Sequence, residues 1–335
     1  MATTKEKVLQ LLKESFDQFR SGQEISTKLN VTRASVWKAI RNLQREGYRI
    51  EAVNNRGYRL IGAPDDLNAD RILEYLKMYA KEASVQIPDA LFDSFHVYPV
   101  VGSTNTVISQ FQAPAVVVSE EQTAGRGRRG RSFHSPIGTG IYMSLLLYPR
   151  DTIDLATGFT CMMAVAVYIA VKQLLDIDLS IKWVNDLLLG NKKVCGILTE
   201  GNVSVEDNTI RSVTIGMGLN VYQPADGFPE ELQDIAGNLL SFGEQNPDLR
   251  NRLCAAILCE FFRIYNAQDD HAFIETYQKR SMLIGKRIEI TDFTDRSHRV
   301  AYAEGVDEHC HLLVRYEDGT KETLSSGEVS VSIDQ

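Results

Sequence analysis

Apolar residues recur with helical spacing at the start of the chain and with strand spacing further on. Over residues 5–19, Val8, Leu11, Leu12, Phe16 and Phe19 share one face, which predicts an amphipathic helix. Ser21 or Gly22 can open a short helix through Leu29. Asn30–Val31 forms a turn, and Thr32 is a suitable N-cap for another helix that stops before Gly47. Val36, Trp37, Ile40 and Leu43 are its expected buried stripe. Thr32, Arg33, Ser35, Lys38, Arg41 and Arg45 occupy its other face. "YRIEAVNNRGYRLI" then alternates around Asn-Asn-Arg-Gly, a β-hairpin signal.

After Pro64 and the capping residues Asp65–Asn68 the pattern resumes as a helix. "FHVYPVVGSTNTVISQF" reads strand, loop, helix. "AVVVSEEQ" and "GIYMSLLLYP" read as strands, and residues 153–175 as a long apolar helix. "SIKWVNDLLLGNKKVCGILTEG" reads strand, tight turn at Gly190–Asn191, strand, with Lys182, Val184 and Asp186 on one face. "SVTIGMGLNVY" is a further strand, and helices are expected near 230–242 and 247–280. Strands without regular alternation with helices predict an α+β fold with a mixed or antiparallel sheet. From Met282 onward, short strands between turns predict a small β-barrel.

Charge sharpens this outline. The 335-residue chain carries a net charge of −8, so nucleic-acid contact must be local. Residues 28–59 hold eight Lys/Arg against two Glu, counted along the sequence. Two short helices, a tight turn and a basic hairpin predict a winged helix-turn-helix rather than a plain interaction domain, with Arg56 in the wing. A hydrophobic fraction of 44% and a charged fraction of 24% are those of a globular protein. Five cysteines without ladder spacing suit a reducing cytoplasm, and the polar N-terminus has no signal-peptide core. No apolar stretch of about 18 residues is read, so no membrane contact is expected. His309 and His311 alternate along an expected strand and so share a face, but no second ligand cluster accompanies them.

Against the acidic background, Gly125–Arg131 places four arginines and three glycines in seven positions. Such a segment is a solvated loop, an RNA-binding arginine–glycine stretch, or a loop that closes on an anion. Its surroundings favour the anion. Ser103, Thr104, Asn105 and Gln122 offer donors and acceptors to an amide-like or urea-like ligand. Asp186 can hold Mg²⁺, Lys193 can stabilise charge on a reacting phosphorus or carboxylate, and Gly196 allows close approach. No P-loop is present.

"GSTN", "QTAGRGRRGR", "KWVND", "KKVCGILTE" and "GMGLNV" together resemble the bifunctional biotin–protein ligases that also act as biotin operon repressors, and the resemblance spans essentially the whole chain. It implies three parts: a DNA-binding winged helix-turn-helix over 1–62, a biotin- and ATP-binding catalytic domain over 63–281, and a small SH3-like β-barrel over 282–335. It implies ATP-dependent formation of biotinyl-5′-AMP, with Mg²⁺, then transfer of biotin to a lysine of a biotin carboxyl carrier domain. Ser103, Thr104, Asn105, Gln122, Arg126, Gly127, Arg128, Lys193 and Gly196 match biotin-binding positions. Arg126, Arg129, Phe133, Asn185 and Asn220 match adenylate positions. Lys193, Arg128 and Asp186 match catalytic ones, Asp186 also as the metal residue. Thr32, Arg33, Ser35, Lys38, Arg41 and Arg56 would meet operator DNA, with the adenylate-bound protein a homodimer. Two positions depart from the family: Val184 stands where Pro is usual, and Phe133–His134 where an aromatic pair beginning with Trp is common. The alternatives are a lipoate-type ligase and a non-enzymatic ligand-sensing regulator. The arginine loop is expected to be mobile without ligand, its repulsion being unrelieved.

Overall fold

The computed structural model describes residues 3–331 except 16, 46–47, 63–64, 113, 150–154, 204–209, 225, 242–245, 247, 268–270, 292–297 and 326–327. The chain divides into two compact units, residues 1–66 with 245–249, and the remainder.

The first unit contains α1 (Thr4–Glu14), α2 (Gly22–Leu29), α3 (Arg33–Arg45) and a hairpin of β1 (Arg49–Val53) and β2 (Gly57–Gly62). A reciprocal Thr3–Glu6 capping box opens α1. Val8, Leu12, Ile25, Val36, Ile40, Leu43 and Leu60 close one core. This is the expected winged helix-turn-helix, with three corrections. Helix α1 ends at Glu14 rather than residue 19, and the Ser15 hydroxyl turns back onto the Leu11 carbonyl at 2.9 Å. Phe19 therefore leaves the helix and lies beneath the guanidinium groups of Arg56 and Arg59, 4.2 and 4.8 Å from its ring centre. Trp37 is 56% exposed, because Ala39 fills the stripe beside Val36, Ile40 and Leu43. Phe16, Gly47, Pro64 and the side chain of Arg45 lie outside the described residues.

The second unit begins with α4 (Ala69–Glu82), capped by Asn68 Oδ1 at 3.1 Å from Arg71 N, and α5 (Asp89–Asp93). Its seven-stranded sheet comprises β3 (Phe95–Tyr98), β4 (Ala115–Ser119), β5 (Gly140–Leu147), β6 (Ser180–Lys182), β7 (Asp186–Leu189), β8 (Lys192–Val203) and β9 (Ile210–Asn220). The order is β3-β4-β5-β9-β8-β7-β6; β3 and β4 are parallel and the other neighbours antiparallel. Helix α6 (Thr104–Ile108) follows β3. Helix α7 (Leu155–Leu175) packs on β8 and β9, with Met163–Val167, Ala170 and Val171 buried. Its stretch Thr157–Leu175 is 19 residues and apolar enough by length and composition to cross a membrane, contrary to the expectation that no such stretch exists. Its burial against the sheet is that of a core helix.

Four other expectations change. Lys-Trp-Val-Asn-Asp is not one strand: β6 ends at Lys182, Trp183–Asn185 turn, and Asp186 pairs back with Lys182. The Trp183–Val184 peptide is cis. The expected helix near 230–242 reduces to a 3₁₀ turn at Glu230–Leu232, and that near 247–280 splits into α8 (Leu249–Tyr265) and α9 (His271–Arg280). The C-terminal strands β10 (Arg287–Thr291), β11 (His298–Val306), β12 (Leu312–Tyr316), β13 (Lys321–Leu324) and β14 (Glu328–Val331) form an antiparallel sheet ordered β13-β12-β11-β10-β14. His309 and His311 sit in the β11–β12 turn, not on a strand. Asp307 Oδ1 accepts both their backbone N–H groups, and its Oδ2 lies 3.1 Å from His311 Nδ1.

Candidate functional site

The site lies on one face of the central sheet, where small residues leave room. Gly196 of β8 pairs with Gly218 of β9. A Cβ at Gly218 would lie 2.5 Å from Phe133 Cε1, and one at Gly196 2.9 Å from Lys193 Nζ. The Phe133 ring and the Lys193 stem thus rest directly on backbone that only glycine leaves open.

Ser103, Thr104, Asn105, Gln122, Arg126, Gly127, Arg128, Phe133, Asn185, Lys193 and Gly196 line one narrow pocket. Its polar side chains form a chain of hydrogen bonds. Gln122 Oε1 accepts from Thr104 N and Oγ1 at 2.9 and 3.1 Å, and Gln122 Nε2 donates to Ser135 Oγ at 3.0 Å. Ser144 Oγ lies 2.7 Å from Thr104 Oγ1 and 2.6 Å from Asn105 Oδ1. Asn105 Nδ2 donates to Glu200 Oε2 at 2.7 Å. The space left is about 40 Å³, room for a few waters only.

An adjoining cleft of about 620 Å³ is lined by Arg128, Arg129, Arg131, Phe133, Asn185, Asp186, Lys193 and Asn220, with Phe228 and Ile235 of the segment after β9 and Val329 of the C-terminal sheet among its apolar walls. Lys193 Nζ lies 2.7 Å from Asp186 Oδ1, yet that oxygen accepts no aligned hydrogen bond, so the contact is a charge pair. Arg128 Nη1 donates to Asn185 Oδ1 at 3.3 Å, and Asn185 Nδ2 to the Ile197 carbonyl at 3.0 Å. Asn220 Nδ2 donates to the Gly237 carbonyl at 2.9 Å. The turn between Lys182 and Asp186 is braced from outside: Trp183 Nε1 donates to the Cys310 carbonyl at 2.9 Å, and Tyr277 Oη to the Val184 carbonyl at 3.2 Å. Burial pushes the Cys195 thiol and the Tyr142 phenol well above their usual ranges, so both stay protonated.

All the predicted central residues thus meet at these two adjoining spaces, and Arg128, Phe133, Asn185 and Lys193 line both. The arginine loop is partly compensated within the chain, so its repulsion is not wholly unrelieved. Gly127 N donates to the Arg131 carbonyl at 2.7 Å, Arg129 and Gly130 have positive φ, and Arg126 pairs with Glu200 at 2.9 Å. A carboxylate therefore relieves part of the loop's repulsion. Sequence reasoning missed Glu200, Ser135 and Ser144. Strand alternation was a usable signal for Glu200, four residues beyond Gly196.

In the first unit Thr32, Arg33, Lys38, Arg41 and Arg56 are exposed and Ser35 half-buried. Thr32 Oγ1 caps α3 by accepting from Ser35 N at 3.1 Å. The Arg41 guanidinium lies 5.6 Å from the exposed Trp37 ring. A helix with this cationic and aromatic face can enter a major groove while the wing reaches phosphates.

Comparison with known proteins agrees with this division. Residues 4–59 match an HTH domain, residues 97–220 the Biotin/lipoate A/B protein ligase family, and residues 283–332 the Biotin protein ligase C terminal domain. The chain is 33% identical to the bifunctional ligase/repressor BirA of Bacillus spizizenii over 330 residues, 97% of this chain and 98% of that protein. It is 25% identical to Escherichia coli BirA over 321 residues, 94% and 93% of the two chains. The fold resembles that of a biotin protein ligase from Aquifex aeolicus in complex with biotin and ATP, with TM-score 0.60 and 23% identity over 72% of this chain and 100% of that one. With a helix-turn-helix unit, a ligase sheet and a C-terminal β-domain joined along almost the whole length of such relatives, this chain belongs to the BirA family of bifunctional ligase/repressors.

Proposed function

We infer that this chain activates biotin with ATP, transfers it to a lysine of a carboxyl carrier domain, and represses transcription through its helix-turn-helix unit. The observation that carries the ligase reading is the pair of adjoining spaces. A narrow pocket lined by hydroxyl, amide and cationic side chains opens on a wide cationic cleft, and Lys193, Arg128, Asn185 and Phe133 line both. A small acid seated in the first, once its side chains part to admit more than waters, and a nucleotide held in the second would meet at Lys193.

Ser103, Thr104, Asn105 and Gln122 hold the ureido end of biotin, and Gly127 and Gly196 let it approach the backbone. Arg126, Arg128 and Lys193 face its carboxylate and the α-phosphate. Phe133 packs on the adenylate, and Arg129, Asn185 and Asn220 hold it by hydrogen bonds. A carboxylate oxygen attacks the α-phosphorus, and the bond to the pyrophosphate oxygen breaks. The acceptor lysine amine then attacks the acyl carbon, AMP leaves with the bonding pair, and the amine proton passes to solvent. Lys193 and Arg128 stabilise the charge that grows on the phosphoryl oxygens.

Asp186 suits Mg²⁺, which takes one or two carboxylates and completes its shell with phosphate oxygens and waters. It is the carboxylate lining the cleft; its Oδ1 faces Lys193 Nζ at 2.7 Å without an aligned hydrogen bond, so an ion there would share the carboxylate with that amine. The ion would neutralise phosphate charge there.

Domain limits of 1–62, 63–281 and 282–335 fit this division of labour. Thr32, Arg33, Ser35, Lys38, Arg41 and Arg56 form the DNA-contacting set. One such module reads one half-site, so the repressor is a homodimer on a palindromic operator, assembled when the adenylate is bound. Five free, buried cysteines support a cytoplasmic setting. The direct test is incubation with ATP, biotin and an apo carrier domain, followed by mass spectrometry of the carrier. One biotinyl group on one lysine is expected. Modification with lipoate but not biotin would overturn the assignment.

A further inference from the structure

Glu200 is used by no step above, yet it sits where the chemistry of an anion site would not put a carboxylate. Its Oε2 accepts from Asn105 Nδ2 at 2.7 Å, and its Oε1 from Arg126 Nη2 at 2.9 Å, with Arg126 Nη1 3.5 Å from Oε2. Both donors line the narrow pocket. A carboxylate here repels an anionic ligand and occupies the forked donor that would receive it. It also satisfies that donor while the pocket has room only for waters.

We propose that Glu200 is an internal counter-ion which a ligand oxyanion must displace from Arg126, so that this residue sets how tightly the site holds its anionic ligand. The oxyanion is a carboxylate or a phosphate group. The inference rests on the ligase reading given above. Glu200 is a positioning residue: it acts through Arg126, and it touches neither ligand nor reacting atoms once displaced. Because Arg126 and Glu200 are 51% and 38% exposed, the exchange is a fine adjustment. Neutralising Glu200 should tighten binding about two- to five-fold, the range for ion pairs of this exposure.

The test is calorimetric titration of the full chain and its Glu200→Gln variant with biotin alone, ATP alone, biotinyl-5′-AMP and biotin methyl ester. Gln retains an acceptor for Asn105 and removes only the charge. Tightening is expected with biotin, with ATP or with both, and with the adenylate; the responding arm identifies whether carboxylate or phosphate takes Arg126. The neutral ester should bind both proteins alike. In an Arg126→Ala background the Glu200→Gln effect should vanish, which a merely structural role would not produce. Should the Gln variant not fold, Glu200→Thr carries the same expectation. Unchanged or weaker binding in every anionic arm would overturn the proposal, as would an effect that survives in the Arg126→Ala background. A parent chain that binds neither biotin nor the adenylate would overturn the ligase reading itself; a parent that binds, with an unresponsive variant, overturns only the role of Glu200.

Discussion

Lys193 Nζ lies 2.7 Å from Asp186 Oδ1, joining the two residues across the β7–β8 pairing at the point where pocket and cleft adjoin. The amine is thus held by its own chain before any phosphate arrives. Lys193→Ala should leave the fold intact and slow adenylate formation by at least about 100-fold, the scale of losing one preorganised electrostatic contact. Biotin-dependent pyrophosphate release is the measurement. A near-parental rate would remove Lys193 from the chemistry.

Phe133 rests on Gly218 so closely that a methyl group there would meet ring carbons at 2.5 and 2.8 Å. Gly218→Ala should move the ring out of the cleft wall. The loss of an aromatic packing surface predicts a KM for ATP raised roughly 3- to 10-fold, with kcat much less affected. Steady-state kinetics with ATP varied at saturating biotin separates the two constants. An equal fall in kcat and kcat/KM would instead mean that the ring acts in the reaction step.

Arg128 reaches Asn185 at 3.3 Å and lines both spaces. Arg128→Gly removes a donor for phosphate and frees the loop backbone. Biotinyl-5′-AMP should then escape faster and label lysines of a bystander such as serum albumin. Retention of adenylate equal to the parent's would exclude the clamp role.

Alkaline stability follows from the buried thiols. Burial pushes Cys259 up to about 11, and Cys161, Cys195 and Cys254 well above the ordinary thiol range. In the unfolded chain these thiols ionise near pH 8.5. Above that pH the unfolded state binds fewer protons than the folded one, so stability falls as pH rises toward the folded values, by at most about 1.4 kcal/mol per pH unit for each thiol. Urea midpoints should be level from pH 7 to 8 and drop by pH 10. Iodoacetamide at pH 8 should leave the native thiols largely unreacted, because burial keeps them protonated and covered. Rapid native alkylation would contradict this burial.

Lys38 and Arg41 are exposed on α3, in a unit separate from the catalytic sheet. Replacing both by Ala should abolish operator binding and spare ligation. Gel shifts at fixed salt, with and without biotin and ATP, should be run beside the carrier assay. Operator affinity that ignores the ligands would contradict adenylate-driven dimerisation, and joint loss of both activities would contradict the separation.

What could be read from the sequence followed what is local. Thr32 as a cap, the Asn-Asn-Arg-Gly turn and the apolar run of β4 are each decided within a few residues, and so were legible. Trp37 is next to Val36, and helical spacing alone does not decide which flank of a stripe is covered; Ala39 takes the place. The turn at Trp183–Asn185 is not legible locally because its braces, the Cys310 carbonyl and Tyr277, are far along the chain. Most central site residues were found through their motifs. Glu200, tied to side chains 74 and 95 positions away, was hidden for the same reason of distance.

The chain has two tryptophans, one in each unit. Trp37 is 56% exposed on the cationic face of α3, whereas Trp183 is 4% exposed, lines the cleft and donates its indole N–H to a carbonyl. Their intrinsic fluorescence is therefore two signals with different spectra: a red-shifted, quencher-accessible emission from the first, and a blue-shifted, shielded emission from the second. Ligand entering the cleft should perturb the shielded band and nucleic acid the accessible one, so unlabelled protein can report both equilibria in one cuvette.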